Sequence, residues 1–311
     1  MFDPISYKLW FQDKAAFAKA IGASFRETGF VVISDHIIVQ DVIDDVQAAS
    51  EAFFALHEAT KKQYFSKSGG GQRGYTPFGT ESAKGETAID LKEFWHTGRA
   101  LTADSPYHDI MPPTPSIKEI TGFDRASRGL FDAMDEFGRD ILKGIAIYLE
   151  LDEDYFEDKV EQGNSILRLI HYPAQDKPFP EGSMRAAAHE DINVITLLLG
   201  AEEAGLQVKH RSGEWLSVNP PAGTLVINCG DMLQRLTAGY LPSTSHRVLN
   251  PTADRAHLPR YSMPFFLHFN PDFLIDALPG CEDKGGKIEP AITAQDYLHE
   301  RLVEIGLIKK A

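Results

Sequence analysis

His189 and Asp191 stand two positions apart in a stretch rich in strand-forming residues. On a β-strand alternate side chains share a face, so this spacing points one imidazole and one carboxylate the same way, within reach of a common metal ion. The chain carries 11 histidines and 45 acidic residues, so such a pair also arises by chance and needs a third partner to carry meaning. His246, in Ser243-Thr244-Ser245-His246-Arg247-Val248, supplies it from a later strand candidate. Two histidines and one carboxylate on a rigid β frame make the facial triad of non-haem iron(II), which leaves several coordination positions open. Zinc sites with similar ligands are four-coordinate and keep a single open position. Oxygen activation beside a second small molecule requires the roomier arrangement.

Beyond His246, Arg260 and Ser262 share a strand face. A guanidinium offers a planar fork to a carboxylate, and the serine hydroxyl adds a further donor. Charge-assisted bonds of this kind contribute roughly 1.5–3 kcal/mol each. The same spacing recurs at Arg125 and Ser127, so the position of Arg260-Tyr261-Ser262 after the third ligand gives it weight. Other polar residues read as structural. Glu190 faces away from the ligands on a strand, and Asn228, Gly230 and Asp231 read as turn chemistry. Cys229 reads as a buried thiol and Thr196–Leu199 as a buried strand.

These residues need a frame. Phe17, Ile21 and Phe25 mark one face of a helix opened by Asp13 and ended by Gly29, and Phe30–Ile33 follows as a short strand. Val42, Val46, Ala49 and Phe53 repeat the helical spacing. The glycine run at 69–71 reads as a surface loop, and 100–115, with its prolines, as irregular. The longest helix is expected over about 116–149, with Leu130, Met134, Phe137, Ile141 and Ile145 as its apolar stripe. After Leu151 the texture changes to short β-rich runs at 165–171, 187–199, 205–210, 214–218, 223–228, 244–249 and 260–269. Arg211-Ser212-Gly213 is a hairpin turn, and helical spacing returns over 291–308. Strands without intervening helices predict a sandwich, barrel or double-sheet jelly roll. The expected organisation is one domain over 1–311: a largely helical region over 1–150, a β core over 151–290 and a C-terminal helix over 291–311.

The chain has 311 residues, with 43% hydrophobic and 24% charged, the profile of an ordinary globule able to build a large core. Its net charge of -14 disfavours phosphate backbones, so nucleic acid is not an expected partner. No apolar run reaches the ~20 residues of a membrane span. The segment MFDPISYKLWFQDK lacks the character of a secretory signal, and two cysteines make no disulfide framework, so a cytoplasmic setting is expected.

The second half resembles the iron(II)- and 2-oxoglutarate-dependent oxygenases of the isopenicillin N synthase type. The likeness runs through His189-x-Asp191, Thr196–Leu199, Gly205–Val208, Gly213-x-Trp215, Asn228-x-Gly230-Asp231, Ser245–Val248 and Arg260-x-Ser262-x-Pro264-Phe265-Phe266. A looser likeness runs through Gly29-Phe30, Gly74-Tyr75 and Asp90-x-Lys92-Glu93-Phe94. The resemblance implies a double-stranded β-helix, a jelly roll flanked by helices, with iron at its open mouth. It implies that His189, Asp191 and His246 hold iron(II). Arg260 and Ser262 would bind the distal carboxylate of 2-oxoglutarate, with Tyr172 against the same cosubstrate. Ile170 stands where many relatives carry an asparagine near the metal-bound carboxylate. Arg168 falls on the substrate side, with Tyr75, Phe94, Trp95 and Phe266 as candidate pocket walls. The implied activity is oxidation, foremost hydroxylation, of a C–H bond in a small molecule, using O2 and giving succinate and CO2. The alternatives are a 2-oxoglutarate-independent iron oxidase of the isopenicillin N synthase type, an ethylene-forming relative, and a non-catalytic jelly-roll binding module. The prime substrate and oligomeric state are not legible in the sequence.

Overall fold

The computed structural model describes residues 2–65, 72–80, 91–174, 184–199, 205–251, 255–281, 287–305 and 307. The glycine run at 69–71 and Asp90 lie outside them. The first half comprises β1 (Ile5–Ser6), α1 (Lys8–Gln12), α2 (Lys14–Thr28), β2 (Phe30–Ser34), α3 (Gln40–Phe54), α4 (Glu58–Lys61), β3 (Gly74–Thr76), β4 (Glu93–Gly98) and α5 (Phe123–Tyr148). Then come α6 (Glu157–Val160), β5 (Ile166–Tyr172), β6 (Ala186–His189), β7 (Ile195–Leu199), β8 (Leu206–Lys209), β9 (Trp215–Ser217) and β10 (Leu225–Cys229). The rest is α7 (Asp231–Leu236), β11 (His246–Val248), β12 (Arg260–Ser262), β13 (Pro264–Leu267), β14 (Leu274–Ile275), β15 (Ile292–Thr293) and α8 (Ala294–Glu304).

Local chemistry sets the helix limits. The Asp13 carboxylate accepts the Ala16 amide to open α2, and Gly29 closes it in the left-handed region at φ 74°. Helix α5 begins at Phe123, later than the apolar spacing predicts, because Gly122 precedes it at φ 89°. Its stripe of Leu130, Met134, Phe137, Ile141 and Ile145 is fully buried. Gly138 lets α5 lie close on the sheet, since a Cβ there would come within 2.7 Å of Leu267.

Among the described residues the larger sheet runs β1-β2-β10-β7-β13-β5-β4-β3, with β12 also paired to β5. A second sheet runs β6-β11-β8-β9. The β2, β3 and β4 strands come from the first half of the chain, so the larger sheet draws on both halves. Strand alternation divides its side chains between two cores. Leu167, Leu169, Leu197, Ile227 and Phe265 turn toward α2, α3 and α5 in the main hydrophobic core. Phe30, Val32 and Val226 turn the other way and meet Val208 and Val218 between the two sheets. The result is a helix-backed jelly roll, the double-stranded β-helix that the family resemblance implies.

Three expectations for the strand-rich half also change. The run 187–199 is two strands in different sheets, β6 and β7, joined by a connection that carries Asp191. That connection is pinned by backbone bonds from Gly230 to Val194 and from Asp231 to Asp191. The run 260–269 breaks at Met263, so that β12 pairs β5 alone while β13 pairs both β5 and β7. A helix, α7, stands where Asp231 read as a turn residue, so the strand-rich half does contain an intervening helix.

Candidate functional site

His189 ends β6 and lies directly across from His246, which opens β11. Their rings are 4.4 Å apart between centroids. His189 Nδ1 lies 2.7 Å from the Ala187 carbonyl and His246 Nδ1 lies 3.1 Å from that of Thr244. A carbonyl only accepts, so each Nδ1 carries the proton and each Nε2 keeps its lone pair. Asp191 Oδ1 sits 3.8 Å from His189 Nε2 and 3.9 Å from His246 Nε2. Its other oxygen is taken: Oδ2 accepts from the Thr196 hydroxyl at 2.5 Å and from Asn228 Nδ2 at 2.8 Å. The carboxylate is therefore rotated so that one oxygen faces the two imidazoles.

The electrostatics agree with that geometry. Burial pushes the Asp191 carboxyl up, but His246, His189 and the bonds from Asn228 and Thr196 outweigh it and hold it below the usual range. Desolvation within the cluster, then the neighbouring His246, lowers His189 below the usual imidazole value. A neutral imidazole beside an ionised carboxylate is the protonation state that a metal ion requires. The donor atoms of His189, Asp191 and His246 all lie within 4.8 Å of one another, and two nitrogens with one oxygen fit an iron(II) ion.

An interior wall of the larger sheet holds the second set. Arg260 pairs with Tyr172 and Ser262 with Ile170 across β12 and β5, and the Arg260 guanidinium lies 5.2 Å from the Tyr172 ring centre. All four side chains are buried. Phe94, Ile170 and Tyr172 form one interior apolar cluster. Arg168 projects on the same face. Its guanidinium lies 4.2 Å from the Phe94 ring centre and 5.3 Å from that of Phe266, and its Nε donates to His96 Nε2 at 2.6 Å. The structure thus brings Arg168, Phe94 and Phe266 together inside the barrel.

Tyr75 and Trp95 go elsewhere, and their reading as pocket walls is corrected. Trp95 lies on the helix side of β4, edge-on to Phe53 at 5.1 Å and Phe123 at 5.3 Å. The Tyr75 hydroxyl donates to Glu93 at 2.5 Å in the same layer. Strand parity explains the split, because Phe94 and Trp95 are neighbours in sequence and must point to opposite faces. On that helix side Lys61 pairs with Glu93 at 2.7 Å, and His171 Nδ1 approaches Glu93 at 2.8 Å. Glu190, just past the end of β6, borders a polar cavity of about 530 Å³ with Asp231, Arg235 and Tyr297. Cys229 is fully buried, and burial pushes its thiol up, so it stays protonated.

Sequence reasoning missed Thr196 and Asn228 as partners of Asp191. The only available signal was their place in the motifs Thr196–Leu199 and Asn228-x-Gly230-Asp231.

Comparison with known proteins places these features in a family. A profile described as the 2OG-Fe(II) oxygenase superfamily matches residues 163–269, and one described as the non-haem dioxygenase in morphine synthesis N-terminal matches 4–116. A 2-oxoglutarate-Fe(II) type oxidoreductase of Emericella nidulans is 33% identical over 297 residues, covering 92% of this chain and 83% of that protein. The crystal structure of a putative 2OG-Fe(II) oxygenase family protein from Caulobacter crescentus superimposes with a TM-score of 0.91 at 48% identity, covering 98% of this chain and 99% of the other. A Neurospora crassa protein solved in complex with alpha-KG and thymine gives a TM-score of 0.85 at 31% identity, over 97% of this chain and 96% of the other. The chain belongs to the 2OG-Fe(II) oxygenase superfamily. It is a non-haem, iron(II)- and 2-oxoglutarate-dependent dioxygenase.

Proposed function

We propose that the protein hydroxylates a C–H bond of a small molecule, with His189, Asp191 and His246 holding iron(II) and Arg260, Ser262 and Tyr172 holding 2-oxoglutarate. Iron(II) with 2-oxoglutarate, when bound, supplies the oxidising chemistry, in which one oxygen atom of O2 enters the substrate and the other enters succinate as CO2 leaves. The protein's own part is geometric. Thr196 and Asn228 hold Asp191 in one rotation. The Ala187 and Thr244 carbonyls fix both imidazole tautomers. Arg260 offers its fork and Ser262 its hydroxyl to the distal carboxylate of the cosubstrate, while the Tyr172 ring walls the same space. Phe94, Ile170 and Phe266 exclude water from the interior. The observation that carries the assignment is the His189-Asp191-His246 cluster, with the pairing of Arg260 and Tyr172 on the interior wall in support. The net charge of -14 supports a small-molecule substrate over nucleic acid, and two free, buried cysteines support a cytoplasmic setting.

The test is anaerobic. Iron(II) is added to the metal-free protein, 2-oxoglutarate is titrated in, and the visible charge-transfer band of the chelate is followed. The expected result is a saturating band that needs roughly 10-fold or more extra 2-oxoglutarate in Arg260→Ala, the loss of one to two charged hydrogen bonds. An unchanged 2-oxoglutarate requirement in that variant would remove Arg260 from the cosubstrate site.

A further inference from the structure

Arg73 is 4% exposed and has no carboxylate partner among the described residues. Its Nη2 donates to the Asn164 side chain at 2.7 Å and its Nη1 to the Gln72 carbonyl at 2.8 Å, both neutral acceptors. Its Nε meets no acceptor. A buried guanidinium normally has an anion beside it, because neutral dipoles replace only part of its hydration. A second cation stands near: burial, then Arg128, lowers Arg73 to about 10, which leaves it charged at neutral pH.

The placement of this charge is informative. Gly98 follows Phe94 and His96 at alternate positions of β4, so a side chain there would point into the barrel. A Cβ on Gly98 would fall 1.9 Å from Arg73 Nε and 2.0 Å from its Cζ. The guanidinium therefore occupies the interior space that the missing side chain leaves.

Gly98 also lies at the metal end of the barrel. It pairs with Ile166, Ile166 with Phe266, and Phe266 with Thr196, whose hydroxyl holds Asp191. Three strand spacings make this ~14 Å along the sheet, and the chord across a curved sheet is shorter. His268 lies within electrostatic reach of both Arg73 and Asp191. Arg73 and the metal ligands thus face one interior, separated by about the length of a small molecule.

We infer that Arg73 anchors an acidic group of the prime substrate, making the substrate an organic carboxylate whose oxidised carbon lies several bonds from its acid. This rests on the dioxygenase reading of the metal cluster. The substrate carboxylate completes the charge of Arg73, Asn164 steers the guanidinium, and the acid-to-carbon distance selects which C–H bond reaches the metal.

The experiment uses the anaerobic protein loaded with iron(II) and 2-oxoglutarate. It is titrated calorimetrically with benzoate, phenylacetate and 3-phenylpropionate, each against its carboxamide. The expected result is that at least one acid binds about tenfold or more tightly than its amide. Arg73→Gln should erase that preference. Gly98→Ala should erase it as well, since the added methyl expels the guanidinium while keeping the arginine. Persistence of the 2-oxoglutarate band in both variants shows that they are folded and loaded. Equal binding of acids and amides by the unaltered protein overturns the inference, as does a preference that survives both substitutions. Should the band fail to form in the unaltered protein while an Arg73-dependent preference remains, the cosubstrate assignment falls and the anchor stands.

Discussion

Asp191 shows how much of a metal site is decided by what holds the ligand. With Oδ2 bonded to Thr196 and Asn228, only Oδ1 faces His189 and His246. Removing one of those donors frees the carboxylate to rotate. Thr196→Val and Asn228→Ala are each expected to weaken iron(II) binding about 10-fold or more. Competition against a chelator of known affinity measures this, and unchanged affinity in both would mean that Asp191 is oriented by other contacts. The three residues of the cluster are legible in the sequence, but strand alternation accounts for only part of their arrangement. Alternation would put His189 and Asp191 on one strand face, yet Asp191 lies past the end of β6 on the connection between two sheets. Thr196 and Asn228 were not legible because they come from β7 and β10. They meet Asp191 only after both strands pair in register.

The elements divide the protein's chemistry by strand face. On β4, Phe94 faces the barrel and Trp95 the helices, so a correct strand prediction still leaves two choices for each residue until the register is known. The same parity hides a buried polar cluster behind the cosubstrate wall. Lys61, Tyr75 and His171 all bond to Glu93. Burial pushes the Glu93 carboxyl up, but the bonds from His171, Lys61 and Tyr75 prevail and hold it below its ordinary 4.5. A carboxyl depressed on folding adds stability that is complete above the unfolded value and is lost as pH falls through the folded one. The protein should therefore lose stability as pH drops below about 4.5, and Glu93→Gln should lose less over that interval. Denaturant unfolding at several pH values reads both slopes; identical slopes would exclude Glu93 as a contributor. Lys61→Met removes one partner of a buried pair and should cost about 3 kcal/mol at neutral pH. The cluster was not legible in the sequence: Lys61 belongs to no motif, and Glu93 stands only in the looser likeness Asp90-x-Lys92-Glu93-Phe94.

At the scale of the whole molecule, the metal cluster and the main core are separate. The core joins α2, α3 and α5 to one face of the larger sheet and contains none of the three ligands. The ligands instead tie the ends of β6 and β11 to the β6–β7 connection, where the two sheets meet. The fold class was legible because core periodicity depends on local sequence, and the cluster required the sheets to close. Removing the metal should accordingly leave a folded protein with a lower unfolding temperature. Loading to 100 times the dissociation constant adds ~2.7 kcal/mol, equivalent to a shift of ~6 °C for a domain of about 200 residues and less for a longer chain. Thermal unfolding with chelator, with iron(II), and with iron(II) plus 2-oxoglutarate under anaerobic conditions measures the effect. On the proposed assignment of Arg260 and Ser262 to one end of 2-oxoglutarate, the cosubstrate increment should appear only when metal is present, because the other end needs the ion. An equal increment without metal would mean that 2-oxoglutarate binds through the barrel wall alone. Unfolding on metal removal would mean that the sheets depend on the ion to close.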